Sequence, residues 1–198
     1  MSVLIFARAP EPGQCKTRLI PRLGAEGAAA LHTQLLERTL SIATAGSTGP
    51  VQLWCTPDTD HPYFAECQRR WGVSLHTQQG ADLGARMDDA FQQSLSPSTP
   101  AGAILLGCDA PELTVEHLHQ ARTQLAAGID VVLGPAHDGG YVLIGLRQPC
   151  PALFTQMPWG SDQVLACTRQ RIAALHLHHY ELPPQPDLDR PEDLGLKR

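Results

Sequence analysis

Asp109 stands directly after the apolar run Ala103, Ile104, Leu105, Leu106, Gly107, Cys108, and directly before Ala110 and Pro111. A short run of this kind, stopped by a glycine, a carboxylate and a proline, predicts a strand buried on both faces. In parallel α/β sheets, ligands sit outside the carboxyl ends of the strands. A lone carboxylate there can hold a divalent cation that in turn holds phosphate oxygens. Local sequence equally allows Asp109 to do no more than turn the chain, since Asp and Pro are ordinary turn formers.

Three other stretches carry groups able to do chemistry. In the first loop, Arg8 precedes a segment holding Pro10, Pro12 and Gly13, and the loop ends on Lys16, Thr17 and Arg18. Backbone N–H groups of a glycine-bearing loop together with several cations suit a pyrophosphate. The loop is not a Walker A motif, because Gln14 and Cys15 separate Gly13 from Lys16. Cations at a helix start are unfavourable to the helix dipole, which argues for an anionic ligand over a merely solvated patch. The second stretch is His137, Asp138, Gly139, Gly140, Tyr141. Adjacent glycines permit close approach of backbone to a ligand, with an acid and a candidate base beside them; turn chemistry alone is the competing explanation. The third is Asp187-Leu188-Asp189, whose two carboxylates project to one side of an extended segment. With Asp109 they could complete an oxygen-ligand site of the magnesium or manganese kind; by themselves they read as an acidic tail. His176, His178 and His179 lack a zinc-type partner pattern and fit a strand, and Trp159 reads as a packing residue.

The elements that must position these groups alternate. Strands are expected at residues 3–7, 51–56, 73–77, 103–108, 129–134 and 141–146. Helices are expected at 25–45, with Leu31, Leu35 and Ile42 on its apolar stripe, from the turn at 57–60 through 70, from the glycine loop at 79–87 to about 95, and at 114–127 with Thr114 as N-cap and Gly128 as stop. A last helix, capped by Ser161, runs to about 175. Residues 96–100 read as a surface connection, and 183–198 as a proline-rich acidic tail. This alternation predicts a three-layer, doubly wound, mostly parallel sheet with an antiparallel hairpin.

The 198 residues, 42% hydrophobic and 18% charged, are expected to form one domain over residues 1–198. A net charge of −5 leaves no footprint for nucleic acid. Six cysteines without a C-x-x-C pair, no signal-type h-region and no run of transmembrane length point to a reduced, soluble, cytoplasmic protein that does not enter a membrane. Oligomeric state is left open.

Taken in order, the stretches Phe6 to Gly13, Lys16 to Leu19, Gly107 to Pro111, Gly134-Pro135 with Asp138 to Tyr141, and Asp187 to Asp189 with Pro191 to Leu194 resemble the small bacterial DUF2064 proteins. These are glycosyltransferase-like members of the GT-A, or nucleotide-diphospho-sugar transferase, superfamily, some bearing the names arsenosugar-biosynthesis or selenodomain-associated transferase. The resemblance implies that Arg8, Lys16 and Arg18 hold the diphosphate of a nucleotide donor. It implies that the loop of Gly80, Asp82 and Arg86 lines the base or ribose. Asp109 with Asp189, joined by Asp187, would bind Mg²⁺ or Mn²⁺. Asp138, Gly139, Gly140 and Tyr141 would face a small-molecule acceptor, with Asp138 as general base. Cys108 and Arg190 stand where the family usually has a small hydroxyl residue and a threonine. The leading expectation is a metal-dependent glycosyl transfer from a nucleotide-diphospho-sugar donor. The same residues could serve a nucleotidylyltransferase releasing pyrophosphate, although the opening lacks the G-x-G turn usual there. A third reading is a nucleotide-binding protein without turnover.

Overall fold

The structure is a computed structural model that describes residues 1–95 and 102–195. The surface connection expected at 96–100 lies outside the described residues, as do 196–198.

Among the described residues, seven strands form one sheet: β1 (Ser2–Arg8), β2 (Val51–Thr56), β3 (Ser74–Thr77), β4 (Ala103–Leu106), β5 (Val131–Pro135), β6 (Tyr141–Leu146) and β7 (His179–Glu181), in the order β3-β2-β1-β4-β6-β5-β7. Only β6 runs against its neighbours, pairing antiparallel with β4 and β5, and every other pairing is parallel. The expected mostly parallel sheet with an antiparallel hairpin is therefore present. Reversal of β6 matters for the site. The carboxyl ends of β1, β4 and β5 and the amino end of β6 all open on one edge of the sheet.

Helices α1 (Ile20–Gly46), α2 (Pro62–Trp71) and α4 (Val115–Ala126) cover one face, while α3 (Leu83–Ser94) and α5 (Val164–Ala174) cover the other. Strand residues alternate between the two cores as a two-residue period requires. Val3, Ile5 and Ala7 join Leu36, Leu40 and Phe64 on the first face, while Leu4 joins Phe91 and Ile172 on the second. Complete burial of Phe64, Phe91 and Trp54 contributes about 1.5–3 kcal/mol each by area.

Several local expectations shift. The first helix begins at Ile20 rather than 25, with a break at Gly24 (φ 72°), so the anticipated helix is its second segment. Its buried stripe centres on His32, Leu36, Leu40 and Ala43, and Leu31 lies only half-buried beside it. Thr114 caps α4 as expected. Ser161 does not cap α5; Gln163 takes that position, and the Ser161 hydroxyl donates to the Pro158 carbonyl at 2.8 Å. The first amides of α5 are met elsewhere, since Leu165 N–H donates to the Gly139 carbonyl at 2.9 Å. Of the histidine run only His179 enters a strand. Among the described residues, no helix is long and apolar enough to cross a membrane.

Candidate functional site

At the open edge of the sheet, three stretches far apart in sequence meet. The segment after β7 continues alongside β5 through the Ala136–Gln185 bridge and then crosses to Asp109, where Leu188 N–H donates to the Asp109 carbonyl at 2.8 Å. That crossing brings Asp187 and Asp189 to the end of β4. From the other side comes the first loop, whose Lys16 adopts a left-handed conformation (φ 47°) before a short 3-10 turn, Thr17–Leu19. The Lys16 ammonium lies 2.7 Å from Asp109 Oδ1 and 3.8 Å from Asp189 Oδ1, and it donates to the Leu188 carbonyl. Arg18 pairs with the remaining oxygen of Asp189. The Lys16 side chain is 3% exposed and that of Asp109 is 44% exposed, so a buried cation faces a carboxylate open to solvent.

Two clefts share this cluster. A polar cleft of about 490 Å³ is lined by Arg8, Gln14, Lys16, Thr17, His32 and Asp109, among others. A larger one of about 820 Å³ has apolar walls from Phe6, Leu83, Met87 and Trp159, and a rim carrying Asp138, Asp162, Asp187 and Asp193. Arg18 and Asp189 line both. The acidic rim is electrostatically crowded. Burial, and then the neighbouring charges of Asp138, Asp193 and Asp189, hold the Asp187 carboxyl above the usual carboxylate range, with its own backbone hydrogen bond partly offsetting them.

Each predicted site residue can now be located. Arg8, Lys16 and Arg18 converge on the polar cleft, and Asp109 and Asp189 meet across Lys16. Asp187, Asp138, Gly140 and Tyr141 line the larger cleft. Asp138 also turns its own chain, its Oδ1 accepting from Gly140 N–H at 2.9 Å. Tyr141 offers its ring to the cleft, while its hydroxyl is buried on the side of Thr168 and held well above the ordinary phenol range, chiefly by burial. Gly139 (φ 90°) presses against helix α5's approach, where a Cβ would stand 2.2 Å from the Asp162 carbonyl oxygen.

The glycine loop before α3 is arranged differently from expectation. Asp82 is the N-cap of α3, accepting from Ala85 N–H at 2.8 Å, and Arg86 Nε donates to the Gly80 carbonyl at 3.2 Å. Gly80, Asp82 and Arg86 are not among the residues lining either cleft; Leu83 and Met87, one helical turn apart, supply the wall instead. Cys108 fills a hydroxyl's place in a simple sense, since its thiol donates to the Phe6 carbonyl at 3.0 Å.

Sequence reasoning missed His32. It is buried beneath the polar cleft, with Nε2–H donating to the Arg8 carbonyl at 2.9 Å, and burial lowers its pKa below the ordinary histidine value. Its position one helical turn before Leu36 on the buried stripe was the available signal. Trp159 was read as packing, and it does pack: a Cβ on Gly84 would come within 2.8 Å of its ring, while the same side chain walls the larger cleft. Among the described residues, no group of three or more His, Cys, Asp or Glu is placed to ligate a metal unaided.

Comparisons with known proteins agree on this fold. The profile of DUF2064, described as an uncharacterized protein conserved in bacteria, matches residues 39–161. A crystal structure from Desulfovibrio desulfuricans G20, provisionally assigned as a nucleotide-diphospho-sugar transferase, superposes with a TM-score of 0.87 at 32% identity, over 98% of this chain and 84% of that one. A cytidylyltransferase from Leptospira borgpetersenii gives 0.62 at 16% identity, covering 98% and 82% of the respective chains. Glucosyl-3-phosphoglycerate synthase from Mycobacterium tuberculosis, in complex with Mn²⁺, UDP and glucosyl-3-phosphoglycerate, gives 0.58 at 11% identity, covering 98% and 73%. The last two likenesses concern the fold alone. A search of the curated proteins returns no match.

Proposed function

The chain belongs to the DUF2064 family, and from that premise and the joined clefts we propose that it is a transferase acting on a nucleotide-diphospho-sugar donor. It transfers the glycosyl group to a small hydroxyl-bearing acceptor and works as one domain. The observation that carries this reading is the meeting of Lys16, Arg18, Asp109 and Asp189 where the two clefts join.

In this reading Arg8, Lys16 and Arg18 bind the diphosphate, and their fixed charges stabilise negative charge as the donor bond breaks. The donor set also fits a divalent cation. Asp109 and Asp189 flank a positive charge already, the Lys16 ammonium standing in for one, and Asp187 lies in surroundings that disfavour further negative charge. Asp109 and Asp189, with Asp187 nearby, would hold Mg²⁺ or Mn²⁺. When bound, the ion supplies Lewis-acid neutralisation of the departing diphosphate. On the other side, Asp138 accepts the acceptor's hydroxyl proton, and the walls of Phe6, Leu83, Met87 and Trp159 exclude water.

The acidic rim favours this reading over nucleotidyl transfer to a phosphate acceptor. In the lining of the larger cleft Asp138, Asp162, Asp187, Asp189 and Asp193 outnumber Arg18 and Arg190, so the cleft disfavours an anionic acceptor while its carboxylates accept hydrogen bonds from hydroxyls. A thermal-shift screen tests it, setting UDP-, GDP-, ADP- and CDP-sugars against free nucleoside triphosphates, each with and without Mn²⁺. Stabilisation by one diphospho-sugar is expected. Preference for a triphosphate, with pyrophosphate released on adding an acceptor, would assign nucleotidyl transfer instead.

A further inference from the structure

We infer that Lys16 is a built-in counter-ion whose removal from Asp109 and Asp189 is the condition for a divalent cation to bind, so that cation and diphosphate enter the site as a pair. The inference rests on the reading above and goes beyond it. That reading names ligands for the metal and for the phosphates; the structure ties the two sets to each other through Lys16.

An ammonium has three donors, and those of Lys16 face Asp109 Oδ1 at 2.7 Å, the Leu188 carbonyl, and Asp189 Oδ1 at 3.8 Å. The other oxygen of Asp189 is taken by Arg18. Both carboxylates are therefore neutralised by the protein itself. A divalent ion between the carboxylates is repelled by an ammonium a few ångströms away, and the burial of Lys16 keeps that ammonium from swinging out into water. Nor can Lys16 leave without cost. Its side chain is almost wholly buried, and off the carboxylates it faces the polar cleft, which already holds the cations Arg8 and Arg18. Only an anion in that cleft gives the displaced ammonium a partner.

Each ligand thus removes the obstacle to the other. A diphosphate beside Arg8 draws Lys16 off Asp109 and uncovers the carboxylates. A divalent ion between the carboxylates drives Lys16 toward the phosphate. Coupling of this kind is reciprocal, and typical magnitudes are about 5–150-fold in affinity. Direct contact between metal and phosphate would add to it but has a different signature: it leaves metal binding to the phosphate-free protein unchanged by substitution of Lys16.

Titration of the phosphate-free protein with Mn²⁺, free ion being followed by its electron paramagnetic resonance signal, makes the distinction. Lys16→Gln is expected to bind Mn²⁺ at least about tenfold more tightly than the parent, a factor within the usual range of such couplings. An unchanged or weaker affinity in a variant with a parent-like circular dichroism spectrum would overturn the inference. Should Lys16→Gln fail to fold, Lys16→Met, which keeps the buried stem and removes the charge, takes its place. Tighter Mn²⁺ binding there supports the displaced counter-ion, and unchanged binding refutes it. Asp109→Asn separates this from the functional reading, with Mn²⁺ binding measured in the presence of inorganic pyrophosphate and corrected for the Mn²⁺–pyrophosphate complex in solution. If Asp109→Asn abolishes binding but Lys16→Gln does not tighten it, only the counter-ion falls. If Asp109→Asn changes nothing, the metal site itself is misassigned.

Discussion

Gly139 and Asp162 touch backbone to backbone: a Cβ on Gly139 would lie 2.2 Å from the Asp162 carbonyl oxygen, and Gly139 itself has φ 90°. The contact locks the turn between β5 and β6 onto the segment leading into α5, and so fixes Asp138 and Asp162 on one wall of the larger cleft. Gly139→Ala combines left-handed strain with overpacking. It is expected to cost about 3 kcal/mol and to lower Tm by roughly 6–12 °C in calorimetry. A melting point within about 2 °C of the parent would show that the contact yields easily.

Asp138 serves both its own turn and, in the proposed reaction, the acceptor. Asn at that position keeps an oxygen able to accept from Gly140 N–H but loses the basic carboxylate. Asp138→Asn should therefore melt like the parent while losing about 10²–10⁴-fold in turnover, with donor KM little changed. Equal loss of stability and activity would assign Asp138 to the turn alone.

Arg8 ends β1 exposed at the polar cleft. Removing a charge-assisted contact of about 1.5–3 kcal/mol predicts that Arg8→Ala weakens nucleoside diphosphate binding roughly 10–150-fold by calorimetry, without loss of stability. Undiminished affinity would place the diphosphate elsewhere.

The cysteines give a prediction about pH. Burial, aided by the neighbouring Cys67, pushes the Cys55 thiol from 9.0 up to about 12, and burial raises Cys67 to about 11. Both groups bind their protons more firmly in the folded chain than in the unfolded one. Their contribution to stability is whole below the ordinary thiol value and is lost as pH rises through the folded values. Urea midpoints should fall between about pH 9 and pH 12, and Cys55→Ala should flatten that slope. At pH 8 native protein should alkylate at half-buried Cys150 and Cys167 before Cys55, Cys67 or Cys108, as peptide mapping would reveal.

Much of the frame was legible because burial on both faces leaves an unmistakable mark. The run ending at Leu106 could be little other than a central strand, and Asp109 followed from its position after it. The basic loop was legible through charges misplaced for a helix start. Residues whose meaning depends on tertiary geometry were not. Asp187 and Asp189 stood out as a pair of carboxylates but by themselves read as an acidic tail, and the place of Asp189 beside Lys16 follows only from the segment after β7 reaching Asp109. His32 looks like one more helical position until the Arg8 carbonyl above it is known. Asp82, a donor-site candidate only through the resemblance, caps α3 and lines neither cleft, and an Asp before a helix serves as cap or ligand with the same local sequence. The break at Gly24 and the displaced cap at Ser161 reflect contacts that local propensity does not encode.

Arg18 and Asp189 are separated by 171 residues, yet each completes the other's surroundings. Translation makes Lys16 and Asp109 before Asp187 to Asp189, so a nascent chain carries the first two without their remaining partner. In the proposed reading, the centre is complete only after the strap that bonds Asp109 has been made.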